Sequence, residues 1–339
     1  MKIQSHGPFK NLTATRGIAQ VLTVTAGLVI LCIIFGILNP NFFSSENTMN
    51  LLRQIAPILL IGISQAYVLI TGNIDLSIGS VVGMSTMIAS TLMSKGGVVP
   101  GLAVLITMIC CLFIGAANGL LVAKCKLPPF IATLGTMTIA RGIAQIANNN
   151  YNTDSIGKIL GKDAVQGFRD FFYYGSFLNV YNTIWIALVL WFVFNFFISR
   201  TKSGRHIYAI GSNVEAARLS GVNVTATTVK AYLVSAFCAC VAGFILCAQA
   251  GMGAMDAGTT YELYAVAAAV IGGVSTLGGQ GLLVGTVIGA SIWGVLQNGL
   301  QFANVAVAWR NIIIGAIVIV SVLLDVIVRT GAKSKKVLK

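Results

Sequence analysis

Apolar runs of about 17 to 25 residues succeed one another along almost the whole of this chain, and a helix of about 20 such residues crosses the hydrocarbon core of a bilayer. In lipid every backbone polar group must find its partner inside the protein, so a chain of this pattern folds as a bundle of helices. The composition agrees, with 56% of the 339 residues hydrophobic and 9% charged. Soluble domains carry roughly 25% charged residues. The expected fold is an all-α polytopic membrane protein, one domain over residues 1–339 with about ten transmembrane helices.

The run Gly17 to Leu38 exceeds the roughly 7 to 15 residues of a signal-peptide core, so it reads as an uncleaved first span. Pro40 breaks it. Ser45 or Asn47 is the expected cap of the next helix, with Asn50 to Gln54 lying along the outer surface. Further spans are expected from Ile55 to Thr71, after the break Gly72 to Ser80 as far as about Ser94, on to Val122, from Phe130 to Ala147, and from Thr183 to Ile198. After a long polar interruption come Ala231 to Gly251, an acidic outer turn with Asp256 and Glu262, a span from about Tyr264, one ending near Phe302, and a last from Asn311 to Val328. The polar pieces are an arm at 1–16, the longest outer loop at 148–182, a basic loop at 199–230 and a basic tail at 329–339. On this assignment fifteen lysines and arginines fall inside and six outside, which puts both termini in the cytoplasm. The net charge of +13 is thereby a matter of topology, and no room is left for a nucleic-acid-binding domain.

The basic loop holds the segment most open to partnership. In it Arg200, Lys202, Arg205, Arg218 and Lys230 face the single acid Glu215, as suits a cytoplasmic loop. Glu215 to Gly221, EAARLSG, has the pattern of a short amphipathic helix. Ala216, Leu219 and Val222 share one face, Glu215 and Arg218 another, and Gly221 supplies the end. By themselves these residues suit either an ordinary solvated turn or a docking helix.

Asp75 is the most exposed to question among the remaining polar groups, because acids between apolar spans are expensive and usually functional. It stands in GNIDLSIGS, bracketed by Gly72 and Gly79 with Asn73 beside it. It either caps the next helix, accepting N–H bonds from Ser77 and Ile78, or belongs to a gate at a helix break. Arg141 either snorkels to the outer surface, or offers a pore-facing donor near Gln145 and Asn148, or pairs with an acid on a facing helix. Gln65, Asn118, Gln297 and Asn298, with Ser64 and Gln249, either hydrogen-bond across helices or line a path suited to a neutral polyol. A second glycine-rich turn, with Gly272, Gly273, Gly278, Gly279 and Gly281, echoes the first, and the tripeptide NGL recurs at Asn118 and Asn298. The small residues of Gly285 to Gly294 point to close helix packing or a subunit interface. The seven cysteines read as packing residues, without a zinc spacing. His6 and His206 both lie in segments assigned to the cytoplasm, which leaves no buried histidine relay. No G-x-x-x-x-G-K-[ST] phosphate loop is present, so the chain is expected to be no enzyme and to bind no cofactor directly.

Five stretches in order carry a resemblance: GNIDLSIGS (Gly72 to Ser80), LPPFIATLGTMTIARG (Leu127 to Gly142), TKSGRHIYAIGSNVEAARLSGVNV (Thr201 to Val224), YELYAVAAAVIGGVSTLGGQG (Tyr261 to Gly281) and WRNIIIGAIVIVSVLLD (Trp309 to Asp325). Together they resemble the inner-membrane permeases of ABC importers for ribose, xylose, galactose and related sugars, the autoinducer-2 importer included. The resemblance implies a vitamin-B12-importer-like (type II) fold in a bacterial cytoplasmic membrane. It also implies a second permease copy, identical or similar, an extracytoplasmic sugar-binding protein, and separate ATPase subunits that hydrolyse the ATP. It makes Glu215, Ala216, Ala217, Arg218 and Gly221 the coupling helix. Two positions depart from the pattern: Asn73 stands where glycine is frequent, and Tyr264 where an acidic or small residue is common. An ion-coupled secondary transporter and an amino-acid permease of the same superfamily are the rival readings. If a separate ATPase pulls this loop, shape matters there more than charge. Gly221→Val or Ala217→Arg should then abolish uptake while the protein still reaches the membrane, and normal uptake by either variant would contradict the assignment.

Overall fold

The computed structural model describes residues 9–310 and, beyond them, 312, 313, 315–317, 319, 320, 322 and 323, with side chains from residue 21 onward. Residues 1–8, the basic tail and much of the expected last span lie outside this set. The first helix, α1 (Phe9–Leu38), stops at Asn39, whose side chain accepts the Asn41 N–H and opens a 3-10 turn over Pro40–Phe43. The next, α2, covers Ser45–Ile70, and its cap is Ser44, which accepts the Asn47 N–H at 3.2 Å. Ser45 and Asn47 are therefore inside the helix. So are Asn50 to Gln54, expected along the surface, because a helix started at Ser44 meets no breaker in NTMNLLRQ.

The subsequent elements are α3 (Ile78–Ser94), α4 (Pro100–Ala123), α5 (Pro129–Ala147), α6 (Lys162–Arg169), α7 (Asn182–Arg200), α8 (Lys202–Ser212), α9 (Val214–Leu219), α10 (Val224–Ala250), α11 (Tyr261–Ile271) and α12 (Leu283–Phe302). Among the described residues seven helices are long and apolar enough to cross a membrane: α2, α4, α5, α7, α10, α12 and α1 over Val21–Leu38. Shorter apolar helices are α3, α11 and one over Val307–Ile317. The centre of the bundle is α2, buried from Ile55 to Ile70, packed on α10, α11, α12 and α7. The surrounding helices turn large apolar side chains outward, Phe113, Ile146 and Phe192 among them. That pattern suits a hydrocarbon solvent.

Glycines set the spacing inside. A Cβ at Gly115 would stand 2.7 Å from the Tyr232 carbonyl oxygen, one at Gly119 2.6 Å from the Val229 Cα, and one at Gly243 2.6 Å from the Ser85 Cβ. These contacts press α4 and α3 against α10. The stripe Gly285 to Gly294 is turned inward: Gly285 lies on the Gly272 carbonyl, Gly289 on that of Ala268, and Gly294 on Ile55. Of the two readings of this stripe, close packing within one chain is the one observed.

The polar segment 148–182 is folded. It holds α6, a π-helical turn over Asp170–Tyr174, and a minimal hairpin, β1 (Ser176–Phe177) with β2 (Val180–Tyr181), in which Ser176 is paired with Tyr181. Arg169 Nε donates to the Ala248 carbonyl at 3.2 Å and Tyr174 Oη to that of Gln249 at 3.0 Å, satisfying orphan carbonyls at the end of α10. The Arg53 guanidinium on α2 lies over the rings of Tyr173 and Tyr181 at 4.2 and 4.0 Å, tying this cap to the central helix.

The stretch after α10 departs from expectation. The sequence suggests an outer turn and then a span beginning near Tyr264. Instead, Gly251 ends α10 in the left-handed conformation and residues 252–260 run back into the bundle beside α3, with Gly253 against Met87 and Ser90 and Gly258 against Gly79. Only then does α11 begin, 11 residues long. A run of turns between the helices consumes the residues a full span would need, and the glycines allow its backbone to lie against α3. Gly289→Leu should drive α12 off the Ala268 carbonyl and cost roughly 1–3 kcal/mol. The expected result is a clearly lower unfolding temperature in detergent, whereas Gly167→Ala, with nothing within 4 Å of the new methyl, should leave it unchanged.

Candidate functional site

Two helices begin inside the bundle rather than at its surface, and polar groups gather where they do. The face carrying α9 is one end of the bundle and the 148–182 cap is the other. From the α9 end, Gly72, at φ +79°, reverses the chain after α2. Asn73, Ile74 and Asp75 then climb back to the start of α3. Asp75 is buried, 2% exposed. Its Oδ1 accepts the Ser77 N–H at 2.9 Å and the Ser77 hydroxyl at 2.6 Å, and its Oδ2 accepts the Ser235 hydroxyl of α10 at 2.7 Å. Ser235 lies eleven residues into α10, about 16 Å along the helix.

The chain of bonds continues on both sides. Asn118 of α4 donates to Ser77 Oγ at 2.9 Å and accepts from the Thr136 hydroxyl of α5 at 2.6 Å. Ser64 of α2 donates to the Ser235 carbonyl at 2.9 Å, and Tyr232 to that of Ile74 at 3.0 Å. A single network thus ties α2, α4, α5 and α10 to the break before α3. The capping reading of Asp75 holds in part: Ser77 N–H is bound as expected, but the second partner is Ser235 from another helix, not the Ile78 N–H. Asn118 is a bridge between helices. Asn73 stays local, donating to Thr71 Oγ1 at 2.8 Å.

From the other end, the returning segment 252–260 meets α3 higher up. Arg141 of α5 donates to the carbonyls of Met255 and Ala257 at 3.2 and 2.9 Å, and a Cβ at Gly83 would stand 2.8 Å from its Nη1. Arg141 is therefore turned toward the returning segment and does not snorkel. Gly83 lies eleven residues before the end of α3, about 16 Å below that end. At Gly79 a side chain would strike the Gly258 carbonyl and the Glu262 carboxylate, so the first turns of α3 and α11 meet at mid-height. Beside this meeting Asp256, Thr259 and Thr260 are exposed and Glu262 is half-buried. Thr260 holds φ +66° at the start of α11, a conformation rare outside glycine.

Next to them runs one uncovered face of α5. Gly135, Thr138 and Gln145 are exposed along it, and nothing lies within 4 Å of a Cβ built at Gly135 or Gly142. Charged and hydroxyl groups exposed at mid-height of an apolar bundle are costly against lipid. The arrangement fits a water-filled space bounded by α5 and the returning segment. Sequence reasoning missed Asp256, Thr259, Thr260 and Glu262 as members of this region because it placed them in a surface turn. The signal available was the short distance from Gly251 to the next glycine-rich turn, too little for a turn plus a full span.

The other amides of the bundle do different work. Asn298 exchanges reciprocal amide bonds with Asn47 at 3.0 and 3.1 Å, joining α12 to α2. Gln297 beside it is half-buried. Gln65 is fully buried in α2, and neither of its amide atoms has a hydrogen-bond partner among the described residues.

At the α9 end the basic loop is two helices. Asn213 both ends α8 and caps α9, accepting the Ala216 N–H at 2.9 Å, and Glu215 pairs with Arg218 at 2.9 Å. The expected short helix is present, and Gly221 comes after it at φ +79°. Its faces differ from expectation: Ala217 is buried against the bundle, while Ala216 is exposed and Leu219 is 89% exposed. The inward side accepts only a small residue, so the larger apolar group is left outside.

Comparison with known proteins gives a consistent result. The family model described as branched-chain amino acid transport system / permease component matches residues 47–322. The ribose import permease protein of Bacillus subtilis (strain 168) is 38% identical, over 91% of this chain and 94% of that protein. The galactose/methyl galactoside import permease protein of Haemophilus influenzae is 34% identical over 90% and 95%, and the D-allose transport system permease protein of Escherichia coli (strain K12) 34% identical over 88% and 89%. No solved structure matches the chain.

The buried network generates a stability test. A double-mutant cycle between Asn118→Ala and Thr136→Val, read by reversible unfolding in mixed micelles, should return a coupling of about 0.6–2 kcal/mol. Asp75→Leu strips an acceptor from three donors and should cost several times more than Asp75→Asn, which keeps one carbonyl oxygen. Zero coupling in the cycle would mean the bonds are not made.

Proposed function

This chain belongs to the family of membrane permease subunits of ABC importers, and on that premise we propose that it forms the translocation pathway for a monosaccharide while a separate ATPase supplies the work. The observation that carries the sugar reading is that relatives aligning along nearly the whole chain are import permeases named for ribose, galactose and allose. The family description names branched-chain amino acids, but those full-length relatives favour a sugar. A ribose-like pentose or a hexose is the solute class.

Several features support the mechanism. The exposed face of α5, with the mid-height groups Asp256, Thr259, Thr260 and Glu262, offers hydroxyl and carboxylate acceptors of the kind a polyol's hydroxyls need. An uncovered, partly polar face in a lipid-embedded helix suits a pathway wall completed by a second permease copy, giving about ten spans per subunit in a type II arrangement with both termini cytoplasmic. A sugar-binding protein delivers the solute at the capped end and the ATPase grips the α9 end. The exposed Leu219, with Ala216 and the paired Glu215 and Arg218, is the surface that fits the ATPase. Ala217 instead seats α9 on the permease, and Gly221 lets the chain turn back into α10. ATP-driven closure of the ATPase pair then tilts helices as rigid bodies between inward-open and outward-open states.

The decisive experiment is reconstitution of the permease with an ATPase and a binding protein from the same importer in proteoliposomes. Uphill sugar uptake should require ATP and both companions; uptake by the permease alone would refute the reading. Leu219→Asp should abolish ATPase capture in detergent pull-down and reduce uptake by at least tenfold. Thr138→Trp should leave ATPase capture intact while blocking uptake, since it fills the proposed pathway wall without touching α9.

A further inference from the structure

The α9 helix packs chiefly on α8, with a smaller contact to α10, so a pull on it is carried in large part by α8, whose last turn meets the end of α2 and the turn after α11 mostly through backbone. Gly211, one residue before the end of α8, lies on Ile70, the last residue of α2. A Cβ there would fall on the Ile70 carbonyl oxygen and stand 2.5 Å from the Gly279 nitrogen. Gly279 donates its N–H to that same Ile70 carbonyl at 2.8 Å. Gly278, at φ +83°, would place a Cβ 2.7 Å from the Gly72 Cα and 2.9 Å from the Gly211 carbonyl oxygen. A Cβ at Gly279, at φ +69°, would meet the Ser212 Cα at 2.9 Å.

Three segments distant in sequence are thus in backbone contact: the end of α2, the end of α8, and the turn between α11 and α12. Tyr208, one turn earlier in α8, adds a hydrogen bond from its hydroxyl to the Gly281 carbonyl at 2.7 Å. Burial pushes that phenol up to about 12, and it donates as the neutral hydroxyl. Beyond the joint, Ile70 leads through Gly72 to Asp75, three residues on, and the turn is locked to α12 through Gly272 and Gly285.

We propose that Gly72, Gly211, Gly278 and Gly279 form a backbone joint that passes displacement of α9 rigidly to the Asp75 segment and to α11 and α12, making them positioning residues of the transport cycle. Side chains packed at such a place have several rotamers and yield under load. Apposed backbones do not, so motion at α8 reaches both of the shorter helices, α3 and α11, that start at mid-height. The proposal rests on the importer reading. One mechanical input would thereby move both sides of the mid-height site together.

The test uses the assembled importer in proteoliposomes and reads sugar transported per ATP hydrolysed. Wild type must first show ATP-driven uptake; if it does not, the importer reading has failed, whatever the joint does. Given that uptake, Gly211→Ala should lower the transport ratio at least tenfold while ATPase capture and hydrolysis persist. Tyr208→Phe, which adds no volume, should lower it about two- to fivefold, and Gly101→Ala, with open space around it, should not change it. Wild-type ratios in both Gly211→Ala and Tyr208→Phe would overturn the proposal. Should Gly211→Ala fail to assemble, hydrogen exchange of the wild-type complex decides: the Gly279 amide should stay equally protected without nucleotide and with ATP bound. Loss of its protection on ATP binding would show that the segments part, and would overturn the joint.

Discussion

The break at the centre of this bundle depends on the rule that a polar group held away from water is costly unless it is bonded within the protein. Asp75 shows its reach. A carboxylate at that depth is tolerable because three donors converge on it, two from Ser77 and one from Ser235, and because those donors are themselves held by Asn118 and Ser64. The break before α3 is consequently not a loose loop. It is fixed to α2, α4, α5 and α10 by bonds between buried groups.

Where polar bonds fix position, glycine fixes distance. Lipid provides no hydrophobic drive for one helix to prefer another, so close backbone approach and dispersion have to do it. The contacts of Gly243 with α3, of Gly115 and Gly119 with α10, and of Gly285 and Gly289 with α11 and its turn bring main chains to distances that a methyl group would forbid. The same device, used at Gly211 and Gly278, joins the peripheral α8 and α9 to the centre. A tightly fitted inner set of helices, α2, α3, α10, α11 and α12, is thereby surrounded by α1, α4, α5 and α7, whose outer faces are apolar except along one side of α5.

Reading these features from the residues alone succeeds where a local rule decides. The spans of α4, α5 and α7 lie close to their expected ends because Pro100, Pro129 and the basic residues Lys124 and Arg200 mark them. The helix at Glu215 is present for the same reason, with Asn213 as its cap. Reading fails where partners come from far along the chain. Asn118 and Asn298, identical in local sequence, bridge to Ser77 and Asn47 respectively, and neither partner is discernible from NGL. The returning segment 252–260 was invisible because the acids Asp256 and Glu262 look like a surface turn, and nothing local says that Arg141 and Gly79 lie beside them.

The sequence by itself determined the class and the ends. Hydrophobic run length requires membrane helices, glycine and proline punctuate them, and the basic loop before α10 contains a short helix capped by its own asparagine. Those outcomes depend on interactions within a few residues and on the solvent. Only the tertiary structure decided which polar groups are glue and which are exposed, that Ala217 faces in and Leu219 out, and that α3 and α11 start at mid-height. Each of these depends on contacts between residues tens to hundreds of positions apart, and a burial pattern that is apolar on every side carries no record of which neighbour it meets.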